Sequence, residues 1–315
     1  MFDFSKKSVL GLDISDFSLK IIQLKGDKKG INFTGFIRKD IPAGVIQGGE
    51  IKKEEELITI LKQALQEGRK NGLETRRVVC NLPEEKVFIR IIQLPKMKEE
   101  EVEQAIKWET EAQIPLTIDE VYLDWQIIEP LKNHLDHFDV LIAASPKTLI
   151  DGYLSVLKKT GLKPLALEPE SMAMIRSLIK EDKPLAPAMV IDLGETGTNF
   201  VIFSASAIRF TSHIPILENN NDFVKQIQDY ISFYREHNSH IHGTDGAIGQ
   251  ILLCGGKSLV GDLPSFLSKK LNLPVKLGNP WINIFITPPK NILGLSHKES
   301  IIYTTALGLA LREFI

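Results

Sequence analysis

The hydrophobic and polar positions of this chain follow one pattern twice, about half the chain apart. Residues 9–20 read VLGLDISDFSLK, and residues 189–200 read MVIDLGETGTNF. Each segment is an apolar run, an aspartate (Asp13 or Asp192), a short stretch of small polar residues and a second apolar run. Apolar runs separated in this way are typical of two strands joined by a tight turn. The repeat therefore predicts two related β-hairpins.

The rest of the pattern alternates strand-like and helix-like segments and predicts an α/β protein. Strands are expected at residues 31–37, 78–83, 87–94, 121–128, 139–144 and 248–254, and helices at 54–71, 99–113, 146–160, 171–180, 222–238, 259–271 and 300–314. Helical spacing of apolar residues and strand alternation carry these assignments.

Three structural units follow from this order. Residues 84–162 have a β-α-β-β-α rhythm of their own, which indicates a small subdomain inserted into the first domain. The charged, proline-rich segment 181–187 is the best boundary candidate. We therefore expect a first domain at residues 1–83 plus 163–183, an inserted subdomain at 84–162 and a second domain at 184–315.

Composition narrows the function classes only slightly. The chain has 315 residues, 43% of them hydrophobic and 25% charged, with a net charge of -2. This balance gives no argument for binding nucleic acid or an anionic membrane. No secretion signal and no apolar stretch of membrane-spanning length is visible. Two isolated cysteines, Cys80 and Cys254, do not form a disulfide framework, so a reducing cytosol is the expected compartment.

The two predicted turns carry the candidate chemistry. Tight turns present backbone N–H groups and hydroxyls that suit phosphate oxygens. An aspartate at the strand end can hold Mg²⁺ directly or through water. A third element, ILLCGGKS at residues 251–258, is a strand that runs into two glycines, which allow the backbone to approach a base or ribose. Facing hairpins of this kind would clamp the phosphates of a nucleotide between two related domains, as in the actin-like ATPase fold.

We accordingly predict a site for ATP and Mg²⁺ and no catalytic residue. Asp13 and Asp192 would hold the metal or its waters. Lys20 has the alternative interpretation of a solvated strand residue. The predicted nucleotide contacts are Gly11, Asp13, Ser15, Ser18, Lys20, Asp192, Gly194, Thr196, Gly197, Thr198, Gly255 and Gly256.

Other motifs do not support a different site. Gly256-Lys257-Ser258 imitates the end of a P-loop, but the glycine required five residues earlier is Ile251. The histidines near residues 237–242 have no carboxylate or cysteine pattern around them that would indicate a metal site. No Ser-His-Asp or Cys-His arrangement is supported.

The three nucleotide elements, in this order, resemble the phosphate-1, phosphate-2 and adenosine motifs of the actin/hexokinase/heat-shock chaperone superfamily. More narrowly, the chain resembles the PilM family of type IV pilus assembly proteins, an FtsA-like branch, over nearly its full length. The most discriminating part is Trp108-Glu109 followed by Ile114-Pro115. Further matching segments are residues 11–13 with 20, 41–46, 92–95, 123–124, 143–144, 168–170, 279–280 and 306–310.

The resemblance implies a cytoplasmic ATP-binding adaptor with an actin-like fold and an FtsA-like insertion. Its implied partner is the short N-terminal peptide of a PilN-like membrane protein, which would recruit it to the cytoplasmic face of the inner membrane. Contact with the pilus motor ATPases is also implied, whereas self-association is left open. We expect the inserted subdomain and the first domain to form the peptide groove, with the loop at residues 41–51 as a candidate opposite wall.

Two departures from the family pattern bear on the nucleotide. Ser15-Asp16 stands where Gly-Ser is commoner, which adds a negative charge beside the phosphates. Residues 217–221, LENNN, stand where the family usually has Gly-Gly. Both changes predict at most slow ATP hydrolysis.

Two other functions are compatible with the same superfamily. A small-metabolite kinase would need a catalytic base against the γ-phosphate, and none stands out. An FtsA-like cell-division protein would be expected to carry a basic amphipathic tail after its last domain. The sequence ends at Ile315, directly after the predicted last helix, which favours the PilM interpretation.

Overall fold

The fold was analysed in a computed structural model of the chain. It describes the chain except for residues 1–6, 29, 129–136, 181–185, 218, 243–246, 286–290 and 293, and except for the side chains of residues 99, 237–242, 291 and 292. The side chains of the histidines within residues 237–242 therefore lie outside the described part of the structure.

Strands and helices alternate along the described chain. The strands are β1 (Ser8–Ile14), β2 (Ser18–Asp27), β3 (Gly30–Asp40), β4 (Ile46–Gln47), β5 (Glu50–Ile51), β6 (Arg77–Leu82), β7 (Phe88–Pro95), β8 (Val121–Ile128), β9 (His137–Pro146), β10 (Lys163–Pro169), β11 (Ala188–Leu193), β12 (Gly197–Ser204), β13 (Ala207–Pro215), β14 (Gln250–Cys254), β15 (Val275–Leu277), β16 (Asn291–Ile292) and β17 (Leu295–Ser296). The helices are α1 (Glu54–Lys70), α2 (Glu99–Gln113), α3 (Lys147–Lys159), α4 (Glu170–Leu178), α5 (Asn220–His242), α6 (Leu263–Leu271) and α7 (Thr304–Leu311). Short 3-10 helices lie at Glu84–Lys86, Ile118–Glu120, Gly256–Leu259 and Glu299–Tyr303.

Two five-stranded sheets have the same strand order. The first runs β10-β6-β1-β2-β3 and the second β15-β14-β11-β12-β13. In both sheets the two strands of the predicted hairpin are antiparallel: β1 with β2, and β11 with β12. The first strand of each hairpin pairs on its other side with a parallel strand, β6 or β14. Strand β1 is buried along almost its whole length because helices cover both faces of its sheet, which is why it reads as one apolar run.

The core forms layers around these sheets. Helices α1 and α3 bury one face of the first sheet. Helix α7 covers its other face, whereas α4 packs on the second sheet, whose far face is buried by α5 and α6. Helices α4 and α7 therefore lie between the two sheets. The last helix, predicted within the second domain, contacts the first sheet.

Close backbone packing holds this central layer together. A Cβ on Gly308 would collide with the backbone of Ala173 in α4. A Cβ on Gly11 would likewise collide with the backbone of Ala306 in α7. Only glycine permits such an approach of two backbones. These two positions therefore set the spacing of α7 against β1 and α4.

The predicted inserted subdomain contains the three-stranded antiparallel sheet β7-β9-β8. Helix α2 covers one face, where Val102 and Ile106 pack against Val140 and Ile142. Helix α3, expected to be part of this subdomain, instead buries its apolar side in the core of the first sheet. The domain boundaries themselves remain a prediction.

Strand β13 of the second sheet contacts the inserted sheet through polar side chains. Arg209 donates from Nη1 to Asp139 Oδ2 at 3.3 Å, and both side chains are almost completely buried. On the same strand, His213 Nε2 lies 3.7 Å from Oε2 of Glu85, in the 3-10 helix that precedes β7. The inserted sheet is therefore docked on the second sheet as well as joined to the first.

None of the helices in the described part of the chain combines the length and apolarity needed to cross a bilayer. The cysteines Cys80 and Cys254 are both free and buried. Burial raises the pKa of both thiols, so neither is a reactive thiolate.

Candidate nucleotide-binding cleft

Both repeated hairpins border one cleft between the two sheets. The cleft has a volume of about 330 Å³. Ten of the twelve predicted contacts line it, namely Asp13, Ser15, Ser18, Lys20, Asp192, Gly194, Thr196, Gly197, Gly255 and Gly256. Residues almost 180 positions apart thus meet because the sheets share one topology and face each other.

The first turn is closed by short hydrogen bonds. Ser15 N donates to Ser18 O at 2.9 Å, and the Ser15 hydroxyl lies 3.0 Å from the same oxygen. Lys20, the next inward residue on β2, donates to Asp13 Oδ2 at 2.9 Å. Burial alone would lower the pKa of Lys20, but the nearby carboxylates, led by Asp13, outweigh it and raise the pKa. Lys20 is therefore a charged cleft residue and not a solvated strand residue.

The second turn repeats this geometry. Gly194 N donates to Gly197 O at 3.0 Å, which leaves Glu195 and Thr196 at the tip. A Cβ on Gly197 would collide with the His213 ring. Glycine at this position thus allows the turn to lie against β13.

The predicted adenosine element enters the cleft from the end of β14. Gly255 has a positive φ of 81°, and a Cβ there would collide with the Asp192 carboxylate and contact the Leu193 backbone. Around Gly256, by contrast, the space is open. Lys257 Nζ donates to Glu195 O at 3.1 Å, which joins this element to the second turn.

Two predicted contacts, Gly11 and Thr198, are not among the residues that line the cleft. Gly11 lies against α7, so the structure gives it a packing role. Thr198 is buried within β12, opposite Leu193 on one side and Ile214 on the other. Both predicted hairpins border the cleft, but the repeat could not tell which residues of each strand turn towards it.

Carboxylates crowd the floor of the cleft. Burial, followed by the charge of Asp13, raises the pKa of Asp192 to about 6. Burial, followed by the charges of Asp13 and Asp192, raises the pKa of Glu170 well above its ordinary value. Burial also raises the pKa of Glu84 despite a hydrogen bond from Ser171 N. Burial and mutual repulsion thus favour the protonated forms of these carboxyl groups in the ligand-free cleft.

Glu170 is the functional candidate that sequence reasoning missed. Asn81, from the first sheet, donates to Glu170 Oε1 at 2.9 Å, and Asn199, from the second sheet, donates to Oε2 at 2.7 Å. Asn199 Oδ1 in turn lies 2.6 Å from His213 Nδ1. The signal available in the sequence was an asparagine inside each apolar strand, Asn81 next to the last residue of β6 and Asn199 third in β12.

The two departures from the family pattern have different structural settings. Asp16 lines the cleft, but its carboxylate accepts hydrogen bonds from Gly48 N at 2.8 Å and Gly49 N at 3.0 Å. Its charge is therefore partly satisfied by the β4–β5 turn. Leu217 and residues 219–221 do not line the cleft, because α5 begins at Asn220. Position 218 lies outside the described residues.

The loop at residues 41–51 has limited apolar surface to offer a groove. Ile41, Val45 and Ile46 are buried in the core of the first sheet. The loop is also tied to α3, since Tyr153 donates its hydroxyl to Gly49 O at 2.9 Å.

The oxygen-rich cleft fits a magnesium nucleotide. Carboxylate oxygens are ligands that Mg²⁺ prefers, usually together with waters and phosphate oxygens. Glu84 Oε1 is buried without a hydrogen-bond partner, and a cation would relieve the crowded charge. In the described part of the chain, no group of three or more His, Cys, Asp or Glu side chains forms a ready-made metal site. The residues thus suit a metal that brings most of its own ligands.

Similarity to known structures agrees with this architecture. The "PilM-PilN type IV pilus biogenesis complex" matches with a TM-score of 0.80 and 23% identity, covering 96% of this chain and 98% of that one. The ethanolamine utilization protein EutJ from Carboxydothermus hydrogenoformans matches with a TM-score of 0.53 and 14% identity, covering 97% and 89%. The cytoplasmic domain of EpsL from Vibrio cholerae, an inner membrane component of the type II secretion system, matches with a TM-score of 0.50 and 9% identity, covering 86% and 85%.

The paired sheets and the cleft between them define an actin-like ATPase fold. A family model described as type IV pilus assembly protein PilM matches residues 11–213, which is more than half of the chain. The chain therefore belongs to the PilM family of type IV pilus assembly proteins. The predicted fold and family are both confirmed.

Proposed function

We propose that this protein is an ATP-binding adaptor of type IV pilus assembly. It binds ATP with Mg²⁺ in the cleft and the N-terminal peptide of a PilN-like membrane protein at its inserted subdomain. The partner recruits it from the cytoplasm to the inner membrane, where it contacts the pilus motor ATPases. Family membership supports the pilus role, and similarity to a PilM-PilN complex supports the choice of partner.

The observation that carries nucleotide binding is the facing pair of hairpin turns. Each turn exposes small residues to the cleft, and each is preceded by an aspartate, Asp13 or Asp192. Backbone amides and hydroxyls of the turns would bind the phosphates. The two aspartates would hold Mg²⁺ or its waters, and Gly255 and Gly256 would border the nucleoside. The bound metal would neutralise phosphate charge, and Lys20, which contacts Asp13, would add a positive charge beside it.

Isothermal calorimetry with ATP and Mg²⁺ tests this site. We expect binding in the wild type and at least a tenfold weaker affinity in Asp192→Ala, because a buried charge partner of the metal is lost. Asp229→Ala, which removes an exposed aspartate of α5, is the matched control and leaves the affinity unchanged. A folded wild type that gives no heat at millimolar nucleotide contradicts the proposal.

Hydrolysis is expected to be slow, well below the rate of about 1 s⁻¹ that is ordinary for enzymes. Asp16 adds a carboxylate at the first turn, and the buried Glu170 is held by Asn81 and Asn199. A phosphate-release assay on purified protein measures the rate. Turnover at about 1 s⁻¹ or faster that Asp192→Ala abolishes would contradict this expectation.

The peptide groove is proposed between the inserted sheet and the first domain. A β-rich module suits capture of an extended peptide. Of the two strand positions suggested by the sequence, Phe88 packs among Ile114, Val121 and Ala144. Ile91 lies on the opposite face of β7 and is half-buried. Ile91 is therefore the position of the two that lies outside the inserted subdomain's own core, on the face where Ile89 packs with residues of the second sheet, and we propose that it borders the groove.

A fluorescent peptide with the first dozen residues of the membrane partner tests the groove. Ile91→Glu is expected to weaken binding at least about tenfold, because an unpaired charge in an apolar contact is costly. Trp108→Glu places the same charge on an exposed residue of α2 and is expected to bind like the wild type. A wild type that ignores the peptide at high micromolar concentration contradicts the adaptor proposal.

A further inference from the structure

His213 on β13 is a cleft residue whose ring is held against the second turn by one of its two nitrogens. Asn199 donates its amide to Glu170 Oε2 at 2.7 Å, so its own Oδ1 is left to accept a hydrogen bond. His213 Nδ1 lies 2.6 Å from that oxygen and therefore carries a hydrogen. The ring also lies against Gly197, where a Cβ would collide with it. The ring is thus fixed without a hydrogen bond from its other nitrogen.

The other nitrogen, Nε2, is available to a ligand in the cleft. His213 and Glu85 both line the cleft, and the imidazole is 25% exposed. Nε2 lies 3.7 Å from Glu85 Oε2, which is an ion-pair separation but too long for a hydrogen bond. Nε2 therefore keeps its hydrogen-bonding capacity for a group that enters from the cleft.

The strand order of the second sheet places His213 at one end of the candidate site. Across the sheet, the cleft residues follow in the order Gly255 after β14, Asp192 in β11, Gly197 in β12 and His213 in β13. Neighbouring strands lie about 4.8 Å apart, so β13 is about 14 Å from β14. A nucleotide whose nucleoside borders Gly255 would lay its phosphates across β11 and β12. Its last phosphate would then be the one nearest to β13.

Carboxyl groups face the ring from two neighbouring elements and from its own strand. Glu85 approaches from the 3-10 helix that precedes β7, and Glu170 reaches the ring from α4 through the bridging amide. Glu84 bonds to Thr211, two residues earlier on the same face of β13. Negative charge beside an imidazole favours its protonated form, which donates from both nitrogens. A protonated His213 can therefore keep its first hydrogen bond and donate a second one to a phosphate oxygen.

We propose that His213 is the specificity-determining residue that recognises the terminal phosphate of ATP. Nε2 takes up a proton from solvent as the nucleotide enters and donates to an oxygen of that phosphate, while Nδ1 stays bonded to Asn199. ADP lacks this phosphate and leaves Nε2 without the contact. This role rests on nucleotide binding in the cleft, and it adds a residue that distinguishes ATP from ADP.

Calorimetry with ATP-Mg²⁺ and with ADP-Mg²⁺ tests this role. We expect the wild type to bind ATP at least about tenfold more tightly than ADP, the difference that one charge-assisted hydrogen bond supplies. His213→Asn is the informative variant, because the asparagine amide can replace Nδ1 in the bond to Asn199 but has no group at the place of Nε2. It is expected to lower the affinity for ATP about tenfold and that for ADP less than about twofold. Retained ADP binding also shows that the variant is folded.

Ser212→Ala is the matched control on the same strand. Ser212 lies on the other face of β13, where its hydroxyl is 2.7 Å from the Tyr230 hydroxyl, and its loss is expected to leave both affinities unchanged. Equal losses for ATP and ADP in His213→Asn would mean that His213 only supports the second turn, which overturns the proposal. Equal binding of ATP and ADP by the wild type overturns it as well. A wild type that binds neither nucleotide would instead overturn the nucleotide site itself, and this role with it.

The pH dependence gives a readout that a supporting role would not produce. Nε2 donates only when it is protonated, and imidazole loses that proton near neutral pH, so the ATP preference of the wild type should fall between about pH 6 and about pH 8.5. The ratio of the two affinities is the quantity to compare, because the carboxyl groups of the cleft act on both nucleotides. His213→Asn should show a ratio that does not vary with pH. A constant ratio in the wild type would overturn the proposal.

Discussion

The buried environment of Asp192 disfavours its ionised carboxylate in the ligand-free protein, so a bound cation would be favourable there. Burial and the neighbouring Asp13 raise its pKa to about 6 from an ordinary value of 3.8. An acid with a raised folded pKa destabilises the fold while it is ionised. That penalty is fully present above about pH 6. It is relieved as the pH falls towards 3.8, where the folded state binds a proton that the unfolded state does not.

Asp192→Asn is therefore expected to raise the stability of the nucleotide-free protein at about pH 7.5, by at most about 3 kcal/mol. The gain should shrink as the pH falls through about 6 and vanish near about 4. Urea denaturation at several pH values measures it, and calorimetry at neutral pH should show weaker ATP-Mg²⁺ binding in the same variant. A stability difference that does not vary with pH would contradict this interpretation of Asp192.

Gly11 is a second residue whose role depends on the atoms packed directly against it, the backbone of α7. Gly11→Ala is expected to lower the free energy of unfolding by about 3 kcal/mol or more, since overpacking against a rigid backbone cannot be relieved by rotating a side chain. Gly152→Ala in α3 is the matched control. A Cβ there meets nothing within 4 Å, and alanine stabilises a helix by up to about 1 kcal/mol relative to glycine. Equal melting temperatures for the two variants would contradict the packing role.

At the scale of elements, β13 joins the second sheet to the inserted sheet. Arg209 and Asp139 form a buried ion pair across this contact, and Gln93 also donates to Asp139 at 3.3 Å. Burial lowers the pKa of Arg209, although Asp139 opposes this effect. Arg209 Nη2 is buried without a hydrogen-bond partner among the described residues. A buried ion pair that leaves a donor without a partner contributes more to the relative placement of two sheets than to net stability.

Asp139→Asn should therefore destabilise the protein by about 3–5 kcal/mol, because it leaves the arginine charge buried and unpaired. The double variant Asp139→Asn with Arg209→Met should recover much of the loss. Glu103→Gln breaks the exposed Lys107–Glu103 pair of α2 and should change stability by less than about 1 kcal/mol. Chemical denaturation measures all three. Additive single losses in a double-mutant cycle would show that the two side chains do not interact.

At the scale of the whole molecule, the cleft and the inserted sheet share β13. His213 on this strand reaches the cleft, whereas Arg209 reaches Asp139 in the inserted sheet. A nucleotide that draws the two hairpins together would change the position of β13, and with it the contacts of both His213 and Arg209. The candidate cleft and the inserted sheet are thus joined through one strand, β13.

Hydrogen exchange should report this connection. ATP with Mg²⁺ is expected to slow amide exchange in the two hairpins and also in β13 and β9, because binding stabilises the state in which these strands are docked. Asp192→Ala should show none of this protection. Protection restricted to the hairpin turns would mean that the inserted sheet does not respond to the nucleotide.

Much of the fold could be predicted because local periodicity was strong. Helix α2 has the predicted bounds, and α1 differs from its prediction by one residue. Strand β10 was missed because prolines flank and interrupt an otherwise short apolar run, and its pairing with β6 passes an irregularity at Pro164. Strand β13 was missed because its face towards the inserted sheet is polar, which weakens an apolar signal.

The sequence by itself determined the repeated hairpins, the alternation of strands and helices, and the family, because each depends on neighbours along the chain. Only the tertiary structure decided which residues share the cleft. Gly11 and Thr198 belong to the predicted hairpins but do not line it, whereas Glu170 lines it and accepts hydrogen bonds from Asn81 and Asn199. The same holds for α3 and α7, which pack on the first sheet. The physical reason is that side-chain direction and burial depend on which surfaces meet, and residues far apart in the chain supply those surfaces.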